Sequence, residues 1–149
     1  MRHSKTSLIA MAVEEAKVGV AGGGMPFGAV LVVDGEVVGR GHNRQVQDTD
    51  YLAHAETVCL APHMRGRTRP LKNALLVATE APCPMCAGAA VVAGIRSILV
   101  GESHHYEGAL DWLDRQGVHV EVLDDEECID LVSEFRSGHP SLWRQYSAG

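Results

Sequence analysis

The chain has 149 residues, 46 % hydrophobic and 21 % charged, with a formal net charge of −6. That length suits one domain able to bury roughly two-thirds of its unfolded surface, and the composition is that of an ordinary globular protein. The acidic balance argues against gripping a nucleic-acid backbone, which calls for a basic surface, and no apolar run reaches membrane-spanning length. The opening Met1-Arg2-His3-Ser4-Lys5 lacks a signal-peptide core, so the expected compartment is the cytoplasm. Thiols stay reduced there, and two of the four cysteines form a metal-type Cys-x-x-Cys.

Leu8, Ile9, Ala12, Val13 and Ala16 recur at helical spacing opposite Glu14, Glu15 and Lys17, which predicts a helix over residues 7–20. Gly22, Gly23 and Gly24 end it, and Pro26 blocks its resumption. Residues 27–33 and 36–41 read as strands joined at Asp34-Gly35, a hairpin signal. A second helix is expected over residues 54–64. Arg65, Arg67, Arg69 and Lys72, interleaved with Gly66 and Pro70, read as a solvated loop. Residues 74–79 read as a buried strand, and residues 82–94 as a helix whose first turn holds both cysteines. Further strands are expected at 97–101 and 118–123, with a short helix near 111–115 between them. A last helix over 124–136 opens with acidic residues that suit its positive end. After Gly138 and Pro140 a short tail carries Trp143 and Tyr146. The expected architecture is one mixed, five-stranded sheet with helices on both faces and the ligands at helix starts.

Two short motifs carry the chemistry: His54-Ala55-Glu56 and Pro82-Cys83-Pro84-Met85-Cys86. One histidine and two cysteines can hold zinc and leave its fourth position for water. Cysteines three apart on the first turn of a helix can face one ion, and unpaired amides there favour thiolates. Glu56 is then placed to move protons between water and a ring nitrogen. The combination H-x-E with P-C-x-x-C is the signature of zinc-dependent nucleobase deaminases. The predicted reaction is hydrolytic deamination of an amidine-type ring carbon. Cys59 and Cys128 lack a matching spacing and read as buried thiols.

At these residues the chain resembles the cytidine deaminase superfamily, and within it the small fungal-type cytosine deaminases. Gly39-Arg40-Gly41-His42-Asn43, Val100-Gly101-Glu102, Asp124-Asp125-Glu126, Pro140 and Trp143 share the resemblance in order and spacing, so it covers most of the chain. It implies a three-layer αβα sandwich in a single deaminase domain over residues 1–149, one catalytic zinc per subunit and a homodimer. It also implies a free pyrimidine base as substrate, closed under C-terminal aromatics, with neither nucleic acid nor membrane as partner. In this likeness Asn43 hydrogen-bonds the ring edge, the Ala55 backbone N–H meets a ring carbonyl, and Phe27, Tyr106 and Trp143 wall the pocket.

The departures bear on the substrate. Fungal-type enzymes carry an aspartate near the C-terminus that helps read the exocyclic amine; here that position is Tyr146, preceded by Gln145, with Arg144 where a second aromatic is expected. Glu80 stands where an apolar residue is usual. A phenol and an amide present a different donor and acceptor pattern from a carboxylate. Cytosine and its isomer isocytosine are therefore both expected candidates. Guanine or tRNA adenosine deamination, and a non-catalytic zinc-binding dimer module, are the alternatives. His104 and His105 read as solvated loop residues.

Overall fold

The Asp34-Gly35 pair turns the chain with two positive φ angles, 52° and 81°. A two-residue hairpin needs this left-handed geometry to match the twist of its strands. The computed structural model describes residues 3–147. The hairpin joins β1 (Gly28–Val33) to β2 (Glu36–His42). The other strands are β3 (Ala74–Glu80), β4 (Ser97–Glu102) and β5 (His119–Val122). They form one sheet in the order β2-β1-β3-β4-β5. β1 runs antiparallel to both its neighbours, whereas β3, β4 and β5 are parallel.

Period-two alternation divides the core between the sheet's two faces. Ala29, Leu31, Leu76, Ile98 and Val100 point to one face and pack with α2 (Ala55–Met64), α3 (Pro84–Ala93) and α4 (Leu110–Arg115). Val30, Val32, Val77 and Leu99 point to the other, against α1 (Lys5–Ala21) and Cys128 of α5 (Glu126–Gly138). This is the expected αβα sandwich. The α1 layer sits tightly on β1 at Gly28, where an added Cβ would lie 2.0 Å from the Ala12 carbonyl oxygen and 2.7 Å from the Ala16 nitrogen. Only glycine permits that approach.

The boundaries differ from the sequence reading at caps. Asp124 has φ 52° and stands outside α5, while the Asp125 carboxylate accepts the Cys128 N–H at 2.9 Å and caps the helix. Likewise α3 begins at Pro84, because Cys83 is its cap. The tail, to which the sequence assigns no element, forms α6 (Pro140–Tyr146), with Pro140 in its first turn. Residues 65–70 and Lys72 are exposed, as expected of a solvated loop. No described helix is long and apolar enough to cross a membrane.

Candidate active site

Two helix starts converge beneath the carboxyl end of β3. His54 caps α2, and the Thr57 hydroxyl accepts its backbone N–H at 3.1 Å, which fixes the entry of the chain into the helix. Cys83 caps α3, its sulfur accepting the Cys86 N–H at 3.5 Å. His54 Nδ1 lies 3.5 Å from Cys83 Sγ and 3.6 Å from Cys86 Sγ. The three ligand atoms all lie within 4.8 Å of one another.

These separations fit zinc. With Zn–S of about 2.3 Å and Zn–N of about 2.0–2.1 Å at tetrahedral angles, nitrogen and sulfur stand about 3.5–3.6 Å apart. The donor chemistry agrees. Hydrogen bonding from the Cys86 thiol, helped by His54 and the Cys86 amide, brings the Cys83 thiol down to about 4 against the cost of burial. The same hydrogen bond, and then burial, push the Cys86 thiol far upward. Two sulfurs that share one proton in this way form a site that a dication can take over. The hydrogen bond with Cys83 raises the imidazole of His54 despite its burial.

The other imidazole nitrogen, Nε2, faces Gln45 Nε2 at 3.4 Å. Gln45 is itself held: its amide donates to the Tyr51 carbonyl at 2.8 Å and accepts from Asn43 Nδ2 at 2.8 Å. With Nδ1 on a metal, Nε2 carries the ring hydrogen, so Gln45 Nε2, itself a donor, packs against the ring edge and does not accept from it. Asn43 Oδ1 also accepts the Gln45 N–H at 3.0 Å, so this side chain, only 2 % exposed, is fixed before any substrate arrives.

Glu56 is buried, 8 % exposed, one helical residue past Ala55. Burial pushes its carboxyl up to about 7. It faces a cavity of about 70 Å³ that also touches His54, Ala55 and Cys83. Phe27, Asn43, Glu80, Tyr106, Trp143 and Tyr146 line the same space. Of the residues singled out from the sequence, Cys86 and Gln145 do not line it. Cys86 is buried, and Gln145 accepts the Tyr51 hydroxyl at its carbonyl, at 2.8 Å, while its side-chain amide donates to the Tyr146 hydroxyl at 3.4 Å.

Helix α6 forms the cover. Trp143 stands 6.2 Å from Phe27, centroid to centroid, with the Arg136 guanidinium 5.3 Å over its ring. Tyr146 lies 5.8 Å from Tyr51. His105 is not simply solvated. It lines the cavity, and Arg136 donates to its Nδ1 at 3.3 Å, so Nε2 carries the hydrogen and donates to the Ile129 carbonyl at 3.2 Å. His104 instead lies 3.3 Å from Asp124 at the surface. Gln45, Thr79 and His105 are lining residues that the sequence reading passed over. The turn after Asn43 and the polar loop after Glu102 were the only local signals for them.

Residues 2–102 match the family described as the cytidine and deoxycytidylate deaminase zinc-binding region. The chain belongs to that family. It is a zinc-dependent hydrolase that acts on C–N bonds, with the cytidine deaminase-like fold. It is 32 % identical to a cytosine deaminase of Candida albicans over 136 residues, 91 % of each chain. It is also 34 % identical to a tRNA-specific adenosine deaminase of Bacillus subtilis over 134 residues, 83 % of each. A solved structure from studies of A-to-I editing by tRNA:A34 deaminases superposes with TM-score 0.72 at 31 % identity, covering 85 % of this chain and 99 % of that one. The fold is also that of a guanine deaminase from Nitrosomonas europaea, with TM-score 0.75 at 23 % identity over 92 % and 86 % of the two chains.

Proposed function

We propose that residues 1–149 act as a single deaminase domain that hydrolyses the exocyclic amine of a free pyrimidine base, cytosine or isocytosine, releasing ammonia. The observation that carries this reading is the size of the cavity together with the aromatic side chains that line it. One water needs roughly 10–15 Å³ on this measure. The 70 Å³ present suits about half a dozen small groups, the scale of a single heteroaromatic ring. Trp143 and Tyr146 on α6 cover it, which fits an enclosed ring better than an open nucleic-acid track. The net charge of −6 points the same way.

In this reading His54 Nδ1 and the Cys83 and Cys86 thiolates hold one zinc per chain. Zinc supplies Lewis acidity that brings the ionisation of water near neutral pH. The remaining steps belong to the chain. Glu56 accepts the proton from water and passes it to the ring nitrogen beside the amine carbon. A second transfer to the amine lets ammonia depart as the carbonyl forms. The Ala55 N–H, at the first turn of α2, meets a ring oxygen, and Asn43 meets the ring edge. Phe27, Tyr106 and Trp143 sandwich the ring and keep bulk water out.

A homodimer in the cytoplasm completes the proposal. Its support is the exposed apolar Val92, 78 % accessible on α3, and cysteines that are all free. The test is ammonia release by zinc-loaded protein from cytosine, isocytosine, cytidine, guanine and an adenosine-containing tRNA anticodon stem-loop. Turnover of a free pyrimidine base above the others is expected. Selective turnover of guanine or of the stem-loop adenosine would overturn the reading.

A further inference from the structure

Two carboxyl groups meet at the end of the sheet, beyond the residues that would hold zinc. Glu80 and Glu102 are register partners of the parallel pair β3 and β4, so their side chains leave the same face. Glu102 is 0 % exposed, and Glu80 lines the cavity. Glu102 Oε2 accepts the His105 backbone N–H at 3.2 Å. Glu102 Oε1 and Glu80 Oε2 are both sealed from solvent, and neither meets a donor among the described residues. The nearby Arg136 guanidinium is turned to His105 Nδ1, at 3.3 Å, and to the Trp143 ring, at 5.3 Å. Two ionised carboxylates here would repel each other and leave two buried acceptors unpaired. One proton between those oxygens removes both costs.

We propose that Glu80 and Glu102 share a single proton, and that Glu80, held as the neutral acid, is a specificity-determining residue that accepts an N–H of the substrate ring. The proton resides on Glu80 Oε2 and is donated to Glu102 Oε1. Glu80 Oε1 is then an uncharged acceptor on the cavity side. Burial, followed by the hydrogen bond with Glu102, pushes the Glu80 carboxyl up to about 9, in keeping with this arrangement. Glu56 is the other carboxyl in the cavity and adds to the same effect.

This inference rests on the pyrimidine reading and narrows it. Isocytosine carries its amine on a carbon between two ring nitrogens. Glu56 serves one of them, and the other, as N–H, is the donor for Glu80. Cytosine has a C–H at that position and leaves Glu80 Oε1 unpaired. The favoured class is therefore an aminopyrimidinone with nitrogen on both sides of the amine carbon.

The test compares kcat/KM for isocytosine and cytosine in the zinc-loaded wild type, Glu80→Gln and Glu80→Leu, with zinc content measured for each. The isocytosine-to-cytosine ratio should exceed one in the wild type. It should fall at least about tenfold in Glu80→Leu, as loss of a hydrogen-bond partner implies. Glutamine keeps a neutral carbonyl and should hold the ratio within about threefold. A wild-type preference for cytosine, or a glutamine variant as altered as the leucine one, would overturn the proposal. Infrared difference spectra of wild type against Glu80→Gln at neutral pH give a second readout that needs no turnover. A protonated-carboxyl C=O band lost in the variant is expected, and no such band means no shared proton. Turnover of neither base defeats the pyrimidine reading and the substrate half of this proposal, while the infrared band still decides the proton.

Discussion

Replacing Glu80 with glutamine should stabilise the protein, and by an amount that grows with pH. The carboxyl ionises at 4.5 in the unfolded chain and at about 9 when folded. Between those values the native state holds a proton that the unfolded state has released, so wild-type stability falls as pH rises. Each pH unit in that window costs about 1.4 kcal/mol, which makes the deficit about 3 kcal/mol at neutral pH. Glutamine carries no such dependence. The groups facing Glu80 are Glu102, Glu56 and Arg136, and the substitution leaves all three in place. The assay is thermal unfolding of zinc-loaded wild type and variant across pH. A domain of this length shifts by about 2–4 °C per kcal/mol. The gap in Tm should therefore widen by about 5–10 °C from about pH 5.5 to about pH 7.5. A gap that stays constant across that range would refute the reasoning, because it would mean that Glu80 is ionised in the folded protein.

Other perturbations address separate parts of the structure. Gly28→Ala drives a methyl group into the backbone of α1 at Ala12, and overpacking of this kind should cost about 1–3 kcal/mol, read as a lowered denaturant midpoint. Tyr51→Phe removes the hydroxyl that donates to Gln145. It should loosen α6 and raise KM by up to about tenfold, the worth of one hydrogen bond, with zinc content unchanged. Tyr146→Asp places a carboxylate on the covering helix and should change base preference more than zinc binding, as competition between cytosine and isocytosine would show.

Short-range chemistry explains what was legible in the sequence. Cys83 and Cys86 lie one turn apart, and His54 and Glu56 two residues apart, so spacing alone announced a metal centre. Asp34-Gly35 announced its hairpin because two successive positive φ angles suit few other residue pairs. Helix α6 was not legible. It is seven residues long and has no fully buried side chain, so no apolar periodicity marks it. The pairing of Glu80 with Glu102 depends on the register of two parallel strands separated by a helix, which no local pattern encodes. His105 looked solvated beside His104, yet α5 returns across the sheet and brings Ile129, Ser133 and Arg136 to its ring. Long-range placement of this kind separates the reading of a metal site from the reading of its substrate.

The most direct test of the account is Glu56→Ala, assayed for bound zinc and for ammonia release from the base the wild type prefers. His54, Cys83 and Cys86 remain in that variant, so one zinc per chain should be retained while nearly all turnover disappears. Full activity in the zinc-loaded variant would contradict the assignment of Glu56 as the group that moves the protons.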